Sequence, residues 1–435
     1  MSTREAYQGG ENFDLRHILL QGRSLKLHER TALFDRFLTD LARQHENTSM
    51  RCITTAADRE VEVVDPFTGT ARRLLMFGSN NYLGLARHSL VLERAALTLR
   101  KFGAGIGGPP LLNGYTSLHR ELEERLAALK GAEDAMIFPS GYGANLGLVT
   151  GLTAPADIIL YDAYSHASFC DGIRMSGVSS YRFPHNDAPS LQRLLELHQH
   201  GAGDLFVGVE GVYSMDGDLA PLDRLVPLCR RAGALLIVDD AHGSGVMGEH
   251  GRGTAEHFGV EGAVDISMGT FSKVFAVTGG FVAASRPIVN YLRYFARSHM
   301  FSAALPPVVI GIVLAGLDVL AQEPELLRRL RDNVAYAAAG LRSAGFDCHP
   351  QSAIIPLRVP VGMNIRRAAY RFHELGIFLN SIEYPAVPVS QQRFRISLMA
   401  THTRGDIDRL VAAVAQVWNE CAPADTSPVP ADEAA

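Results

Sequence analysis

Lys273 lies in the segment whose residue types most directly suggest chemistry. It ends the run Gly269-Thr270-Phe271-Ser272-Lys273, which follows an apolar stretch at 264–268. A desolvated lysine has a lowered pKa and condenses with aldehydes. The hydroxyls of Thr270 and Ser272 are close enough in sequence to hydrogen-bond a phosphate. Pyridoxal 5'-phosphate carries both groups, but one lysine after a strand is more often an ordinary surface residue, so this hypothesis needs support from the rest of the chain.

The composition is that of an ordinary globular protein. The 435 residues are enough for two or three domains, and 47% hydrophobic with 20% charged residues is a typical balance. The formal net charge is −5, and the basic residues are scattered along the chain. This distribution argues against a nucleic-acid partner.

The sequence also predicts no transmembrane segment. The N-terminus lacks the apolar core of a signal peptide, and the longest apolar run, 306–317, is shorter than the roughly 18–20 residues that span a bilayer. We therefore expect a soluble, cytoplasmic protein. The five cysteines are odd in number and far apart, which fits free thiols better than a disulfide framework or a zinc site. No metal site is predicted.

The first 60 residues predict an N-terminal arm followed by a helix. Residues 1–28 are polar and weakly patterned, as in an arm or a disordered start. At 31–42, leucines and phenylalanines share one helical face, which suits packing on the same domain and an oligomer contact equally well. A hairpin is predicted next, with strands near 61–63 and 74–77 around the turn 65–70.

Between residues 117 and 300 the pattern is α/β. A helix at 117–129 is followed by short apolar runs that alternate with helical segments. This alternation predicts a mostly parallel central sheet covered by helices on both faces, with any ligand beyond the carboxyl ends of the strands. The predicted strands are 135–138, 158–160, 205–209, 235–238, 266–268 and 280–283.

Chemically capable side chains follow five of these strands, at ends that would share one edge of the sheet. The small residues at 139–145 open a helix whose amides could bind an anion. Each of the other groups has an ordinary explanation alone, since a single histidine is usually structural and a single aspartate usually caps a helix or turn. Five together indicate a site. They include Ser140, Asp162, His166, Glu210, Ser214, Asp239, His242 and Lys273.

After residue 305 the pattern predicts a smaller α+β domain. A long apolar helix and a charged one at 323–342 lead into alternating strands and helices, and a final helix spans 406–418. The end of the chain is rich in Pro, Ala, Asp and Glu, as in a disordered tail. The predicted domains are 1–60 (arm and helix), 61–305 (large cofactor-binding domain), 306–421 (small C-terminal domain) and 422–435 (tail).

These motifs resemble those of the α-oxoamine synthases, a family of fold-type I pyridoxal-phosphate enzymes. The similarity extends from about Phe77 through the last helix. The motif sequences are most similar to those of bacterial serine palmitoyltransferase-like members. The resemblance implies a mostly parallel central sheet with a smaller C-terminal α+β domain. The segments that carry it are 79–84 (SNNYLG), 162–168 (DAYSHAS), 210–218 (EGVYSMDGD), 239–242 (DDAH), 269–273 (GTFSK) and 394–403 (FRISLMATHT).

The resemblance assigns catalytic roles to four residues around a bound pyridoxal 5'-phosphate. Lys273 would hold the aldehyde of the cofactor and later act as the base that removes the α-proton of an amino acid. Asp239 would keep the ring nitrogen protonated, which makes the ring an electron sink. His166 would stack on the ring, and His242 would hydrogen-bond its phenolic oxygen.

The resemblance also predicts a cup for the phosphate group and further cofactor contacts. The cup would be built from backbone amides at the start of one helix and from hydroxyls beside the lysine. Ser302 would be a contact supplied by the neighbouring subunit, which implies a homodimer with shared active sites. The residues concerned are Ser140, Gly141, Tyr142, Ser214, Thr270, Ser272 and Ser302.

The substrate contacts implied by the resemblance are fewer. Asn80 and Tyr82 would line the amino-acid pocket, and the bidentate guanidinium of Arg395 would hold the substrate carboxylate. Two departures concern the acyl donor: Pro109-Pro110 replaces a polar pair such as Ser-Arg, and 274–277 is bulkier than in many relatives. The donor could therefore be a carrier-protein thioester instead of an acyl-CoA.

The predicted reaction is the decarboxylative condensation of a small amino acid with an acyl thioester to give an α-amino ketone. Serine with a long-chain thioester is the first choice. The alternative is glycine or alanine with an acyl-CoA or acyl-carrier-protein thioester, as in 8-amino-7-oxononanoate synthase, aminolevulinate synthase or aminoketobutyrate ligase. The motifs 79–84 and 166–168 argue against an aminotransferase or lyase on the same fold. The joint presence of Lys273, Asp239 and His166 argues against an inactive partner subunit.

Overall fold

The computed structural model describes residues 15–423, in which the strands form three sheets. The strands are β1 (Cys52–Ile53), β2 (Glu60–Val64), β3 (Ala71–Met76), β4 (Asp134–Phe138), β5 (Ile158–Asp162), β6 (Ser179–Phe183), β7 (Leu205–Glu210), β8 (Leu235–Asp239), β9 (Ile266–Thr270), β10 (Gly280–Ala284), β11 (Ile354–Arg358), β12 (Ile377–Phe378), β13 (Asn380–Ile382) and β14 (Arg393–Ser397). The helices are α1 (Leu15–Gly22), α2 (Leu27–Arg43), α3 (Ser89–Phe102), α4 (Ser117–Lys130), α5 (Gly141–Leu152), α6 (Ala167–Ser176), α7 (Ala188–His198), α8 (Leu222–Ala232), α9 (Thr254–His257), α10 (Arg286–Phe295), α11 (Arg297–Met300), α12 (Pro307–Gln322), α13 (Glu325–Ser343), α14 (Ile365–Glu374) and α15 (Arg404–Cys421).

The chain divides into two units that differ from the predicted domains. The larger unit comprises residues 80–331 and 351–353, and the smaller unit comprises the rest. The hairpin β2–β3 therefore belongs to the smaller unit, and α12 belongs to the larger one. Helix α12 packs on α3, where its Gly311 lies against Thr98. Hydropathy marks such a helix as buried but does not show which unit buries it.

The larger unit contains a seven-stranded sheet in the order β4-β10-β9-β8-β7-β5-β6. All neighbouring pairs are parallel except those of β10, which runs antiparallel to β4 and β9. The predicted mostly parallel α/β sheet is confirmed, and each predicted strand is present. Strand β6 was not predicted, because its sequence Ser-Ser-Tyr-Arg-Phe is mostly exposed at the sheet edge and lacks an apolar run.

Helices cover both faces of this sheet, which explains why its strands are continuously apolar. Successive strand residues point to opposite faces, so Ile159 packs with α5, α6 and α10, whereas Leu160 packs with α7 and α8. Likewise Ile237 faces the first layer, and Leu236 and Val238 face the second. The larger unit is thus a three-layer α/β/α structure whose loops can hold a site at the carboxyl edge of the sheet.

The smaller unit has two sheets of its own. One has the order β1-β2-β3-β12 and includes the predicted hairpin, which is confirmed around the turn that Asp65 closes. The other has the order β11-β14-β13 and is antiparallel.

Near the N-terminus, the prediction of an unpatterned start is wrong for residues 15–22. These residues form α1, because Ile18 packs into a small core with Leu33, Phe37 and Leu41 of α2. Residues 1–14 of the predicted arm and residues 424–435 of the predicted tail lie outside the described residues.

Membrane-spanning potential in residues 15–423 is limited to one bent pair of helices. No single helix there is long and apolar enough to cross a bilayer. Helices α12 and α13 meet the length and composition requirement only together, and they are bent by 79° relative to each other.

Candidate active site

Most of the predicted site residues of the larger unit follow the carboxyl ends of its parallel strands. Strands β9, β8, β7 and β5 are neighbours in that order, so their ends form one continuous edge. Strand β4 lies beyond the antiparallel β10, whose first residue, Gly280, pairs with both Thr270 and Phe138. The end of β4 and the start of α5 therefore lie at the same edge as the other strand ends.

A chain of hydrogen bonds connects Asp239 to His166. The amide nitrogen Nδ2 of Asn145 donates to Asp239 Oδ2 at 2.7 Å and to Ser168 Oγ at 2.9 Å. Ser168 Oγ in turn lies 2.7 Å from His166 Nδ1. Asp239, Asn145 and Ser168 are all buried, whereas His166 is exposed at the end of the chain. The carboxylate and the imidazole predicted to contact the ring are thus held in one rigid network.

The backbone selects the tautomer of the His166 ring. The N–H of Ser168 points at His166 Nδ1 across 3.2 Å, and a backbone N–H can only donate. Nδ1 therefore accepts, and in the neutral ring the proton is on Nε2. The same N–H to Nδ1 contact caps the start of α6, which orients the imidazole without using its other nitrogen.

Asn145 is a site residue that the sequence analysis missed. It lies in the interior of α5, where asparagine is a poor helix former and where buried polar groups need partners. An asparagine in an otherwise small and apolar helix is the signal that could have identified it. Its partners, Asp239 and Ser168, are distant in sequence, so their contact follows only from the fold.

The elements predicted to hold the phosphate are the amino end of α5 and the end of β9. Ser140 caps α5 by accepting the N–H of Gly143 at 2.9 Å. The amides of Gly141 and Tyr142 belong to the first turn, where no intrahelical acceptor exists and where the helix dipole favours an anion. Thr270 Oγ1 donates to the carbonyl of Gly279 at 2.9 Å, a group that can only accept.

Ser272 completes the arrangement at the cup. Its Oγ lies 2.9 Å from Thr270 Oγ1, and Ser272 itself is exposed. Because the hydroxyl of Thr270 donates its proton to the carbonyl of Gly279, the hydroxyl of Ser272 is the more available donor for a phosphate. Tyr142 is also exposed, and its hydroxyl donates to Asp171 on α6, which leaves its backbone amide as the group available to an anion.

At Gly141 the backbone of α5 lies very close to the side chain of Thr270 on β9. A Cβ at this position would lie 2.8 Å from Thr270 Oγ1 and 3.0 Å from Thr270 Cβ, which is closer than side chains tolerate. The amides of α5 can therefore approach the hydroxyls of β9 only when residue 141 is glycine. This geometry fits a phosphate group held by both elements.

The substitution Gly141→Ala tests the cup. The added methyl group displaces α5 from Thr270, and we expect the dissociation constant for pyridoxal 5'-phosphate to rise about tenfold, or ~1.4 kcal/mol. The measurement is an absorbance titration of the cofactor into cofactor-free protein. Gly105→Ala is the matched control, because a Cβ there meets no atom within 4 Å. Equal affinities in both variants would contradict a phosphate at this position.

Lys273 lies in the turn that follows β9 and is half-buried. Its carbonyl accepts the N–H of Ala276 at 2.9 Å, and Phe271 beside it is fully buried. The bulky residues after the lysine serve this packing: Val274 contacts Gly245, and Phe275 contacts Gly316 of α12. Their size is therefore explained by the core of the larger unit.

Tyr82 and His242 form a second cluster in the larger unit. Tyr82 Oη lies 2.7 Å from His242 Nδ1 and donates to Asn80 Oδ1 at 3.4 Å. Tyr82 and His242 are buried. Two predicted substrate residues are thus joined to the histidine predicted to contact the phenolic oxygen of the cofactor.

The remaining predicted residues are placed as follows. Ser214 is half-buried in the loop after β7, and its N–H bonds the carboxyl of Glu210. Ser302 follows α11 and is half-buried beside the exposed Phe301. Arg395 lies in the smaller unit, at the centre of β14, and is 6% exposed. The roles of these three residues stay predictions, as do those of the other predicted site residues.

A cluster around His185 holds two of the sequence motifs together. His185 Nδ1 lies 2.9 Å from Asp162 Oδ1, and Nε2 lies 2.8 Å from Asp218 Oδ2. The neighbouring Asn186 bonds the same two aspartates. Burial lowers the pKa of His185, but its bonds to the two carboxylates outweigh this and raise the pKa to about 9. His185 is therefore charged at neutral pH and ties the end of β5 to the loop after β7.

This charge predicts a pH-dependent stability. The stabilisation from His185 is complete below the unfolded pKa of ~6.5 and is lost as pH rises through about 9, because the folded pKa is the higher one. We expect His185→Gln to cost about 3 kcal/mol at pH 6 and little near pH 10. Urea unfolding of both proteins across this range is the measurement.

His250→Gln is the matched control, since His250 bonds one carboxylate at the exposed surface. It should change stability by less than ~1 kcal/mol at any pH. An effect of His185→Gln that is the same at pH 6 and pH 10 would show that the imidazole does not act through its charge.

Comparison with known proteins identifies the family. Residues 72–414 match the family described as aminotransferase class I and II. This chain belongs to the class I and II aminotransferase family. Within it, an 8-amino-7-oxononanoate synthase from Geotalea daltonii is 43% identical over 349 residues, which cover 80% of this chain and 89% of the relative. A serine palmitoyltransferase from Bacteriovorax stolpii is 39% identical over 361 residues, 82% of this chain and 86% of the relative.

Solved structures agree with this assignment. The structure of Sphingomonas wittichii serine palmitoyltransferase matches with a TM-score of 0.84 and 31% identity, covering 89% of this chain and 97% of that one. Both enzyme names denote α-oxoamine synthases, so the predicted family, its fold-type I architecture and its pyridoxal-phosphate dependence are confirmed. The prediction of an enzyme of the α-oxoamine synthase class is confirmed as well. The serine-using and the alternative members are both among these relatives.

Proposed function

We propose that this protein condenses L-serine with a long-chain acyl thioester, releasing CO2 and thiol, as an α-oxoamine synthase of the serine palmitoyltransferase type. The observation that carries the proposal is the hydrogen-bonded chain from Asp239 through Asn145 and Ser168 to His166, beside an anion-binding helix end and a lysine turn. The likeness to two serine palmitoyltransferases supports the choice of serine.

Pyridoxal 5'-phosphate, when bound, supplies an aldehyde for amino groups and a ring that accepts electrons from the α-carbon of the substrate. The residues of this chain hold and orient it. Lys273 offers the amine that holds the aldehyde, and it moves the proton at the substrate α-carbon. Asp239 holds a proton on the ring nitrogen. The amides of Gly141 and Tyr142, with Ser272, bind the phosphate.

The other residues position the substrate and the ring. His166 presents an exposed imidazole whose orientation is fixed by the Ser168 N–H, which suits stacking on an aromatic ring. Tyr82 Oη lies 2.7 Å from His242 Nδ1 and orients the imidazole, and His242 would hydrogen-bond the phenolic oxygen through its other ring nitrogen. Arg395 would bind the substrate carboxylate through its two parallel N–H groups.

The surface at Pro110–Gly114 bears on the identity of the acyl donor. The turn Pro110–Gly114 carries no charged side chain, and Leu112 is 81% exposed. A charged pantetheine-nucleotide tail gains nothing from such a surface, whereas an acyl chain or a carrier protein could contact it. The alternative function, supported by the 43% identity to an 8-amino-7-oxononanoate synthase, is condensation of alanine or glycine with an acyl-CoA or acyl-carrier-protein thioester.

The test is a thiol-release assay with the cofactor-loaded protein. Serine, glycine, alanine and threonine are each combined with short and long acyl-CoA and with acyl-carrier protein. Fastest thiol release with serine and a long chain supports the proposal. Fastest release with alanine or glycine favours the alternative, and release only from the carrier protein assigns the donor. Absence of any spectral change with every amino acid would contradict the proposed function.

We also propose that the protein is a homodimer in which Ser302 contacts the phosphate bound by the partner subunit. Exposed aromatic residues close to Ser302 in sequence support this, because exposed apolar patches mark interaction surfaces. They are Tyr291, Tyr294 and Phe295 on α10 and Phe301 after α11. A cytoplasmic location stays a prediction from the sequence.

Subunit complementation tests the shared site. Lys273→Ala and Ser302→Asp should each be inactive, the second because its charge repels the phosphate. In a two-fold symmetric dimer both defects fall on one site, so a heterodimer purified through two tags keeps one intact site and about half of the wild-type rate. A heterodimer without activity, with both variants folded, would contradict the contribution of Ser302 across the interface.

A further inference from the structure

Glu210 is a buried carboxyl group that the roles above do not use. It ends β7, and it is the register partner of Asp239 at the end of β8. Paired residues of neighbouring parallel strands point to the same face, so the two acids lie side by side. Glu210 is 5% exposed and Asp239 is 7% exposed. Two carboxyl groups this close and this buried cannot both be ionised without a large cost.

The two acids differ in the number of hydrogen-bond donors that reach them. Asp239 accepts the Asn145 amide at 2.7 Å and the N–H of Ala241 at 3.1 Å. Glu210 has the N–H of Ser214 as its donor among the described residues. Donors stabilise a carboxylate, and Asp239 is the better supplied of the two acids. Full burial and the charge of Asp239 raise the pKa of Glu210 well above its ordinary value, although Lys273 acts in the opposite direction.

The other groups around Glu210 do not supply a second positive charge. Burial raises the pKa of the Cys170 thiol and of the Tyr213 hydroxyl, so both are neutral at neutral pH. Asp162 adds negative charge. The titratable groups that face Glu210 are Asp239 on β8, Asp162 on β5, Tyr213 after β7, Cys170 on α6 and Lys273 after β9. An ionised Glu210 would add a second negative charge beside Asp239, with Lys273 as the cation that opposes it, because the charge of Asp162 is already matched by His185.

We propose that Glu210 is a positioning residue that bears a proton at neutral pH and leaves Asp239 as the one ionised carboxylate of the pair. This inference rests on the proposed function, because it concerns the same carboxylate and lysine. A neutral Glu210 does not stabilise the ammonium form of Lys273, and only the free amine of Lys273 can take up a proton. A neutral Glu210 also leaves Asp239 to interact with the ring nitrogen without competition.

Infrared spectroscopy of the cofactor-loaded protein tests the proton directly. The difference spectrum between the wild type and Glu210→Gln at neutral pH should contain the C=O stretch of a protonated carboxylic acid, present in the wild type and absent from the variant. Glu256→Gln is the matched control. Partial burial raises the pKa of Glu256, but hydrogen bonds from the N–H groups of Arg252 and His250 outweigh this and keep its pKa below the ordinary value. That replacement should remove a carboxylate band and no carboxylic-acid band.

Two further readouts are the change in cofactor absorbance with pH and the turnover rate. Glu210→Ala removes the acceptor of the Ser214 N–H and should lower kcat about tenfold. Glutamine is neutral and of the same shape, so Glu210→Gln should rescue the rate and keep the titration midpoint of the wild type. A carboxylic-acid band that is missing from the wild type or persists in Glu210→Gln would overturn the inference. A displaced midpoint in Glu210→Gln would do the same, since it means that a charge was removed.

Failure of the proposed function and failure of the inference about Glu210 give different results. The infrared band is measured without substrate, so it reports on Glu210 alone. If the proposed function is wrong, the wild-type protein itself shows no spectral change with amino acids. If only the inference about Glu210 is wrong, the wild type responds to amino acids while the carboxylic-acid band is missing.

Discussion

Replacement of Lys273 by alanine will lower the rate of thiol release on the order of 10³-fold or more, because this residue is proposed to serve as both the anchor of the cofactor and the proton acceptor. Lys273 is half-buried in the turn after β9, next to the hydroxyls of Thr270 and Ser272. In the alanine variant the cofactor can still bind through its phosphate. The measurement is steady-state thiol release with excess cofactor, together with borohydride reduction and peptide mass analysis.

Lys101→Ala is the matched control for this prediction, since Lys101 is exposed at the end of α3. It should retain the wild-type rate, and borohydride should fix the cofactor to the Lys273 peptide in both the wild type and the control. Attachment to another lysine would refute the role of Lys273. So would a rate for Lys273→Ala within about tenfold of the wild type.

Asp239→Asn will lower the rate on the order of 10²- to 10³-fold while the cofactor remains bound. Asparagine has the same shape, and its carbonyl can still accept the Asn145 amide that now lies 2.7 Å from Asp239. A neutral amide cannot hold a proton on a ring nitrogen, however, so the electron-accepting character of the ring is lost. Turnover and the absorbance spectrum of the bound cofactor are the two readouts.

The control for this change is Asp265→Asn. Asp265 immediately precedes β9 at the opposite edge of the sheet, where it accepts the N–H of Leu236 at 2.7 Å. It should affect stability slightly and leave turnover intact. If Asp239→Asn retains more than about a tenth of the wild-type rate, the carboxylate does not act on the ring nitrogen as proposed.

The sheet of the larger unit could be predicted because its strands are buried on both faces. A strand such as β7, buried along its whole length, appears in the sequence as an uninterrupted apolar run. Strand β6 could not be predicted this way, since it is the exposed edge strand. The assignment of α12 to the larger unit depends on its packing with α3, which hydropathy does not reveal.

Much of the site could also be predicted, because parallel strands place the residues after their ends along one edge. Asp239 and the lysine turn are examples, as they follow the adjacent strands β8 and β9. Asn145 was missed for the opposite reason, and Glu210 was placed at this edge without a role. The contacts of both residues with Asp239 are contained in no local pattern. Val274 and Phe275, which suggested an altered donor site, are explained by the core.

The most direct test of the central claim is the stoichiometry of CO2 and thiol. The cofactor-loaded protein is supplied with carboxyl-labelled serine and a long-chain acyl thioester, and labelled CO2 and free thiol are measured in one reaction. Decarboxylative condensation predicts that the two products appear in equal amounts and that both depend on Lys273 and on both substrates. Thiol without CO2, or CO2 without thioester, would contradict the assignment of this site to an α-oxoamine synthase reaction.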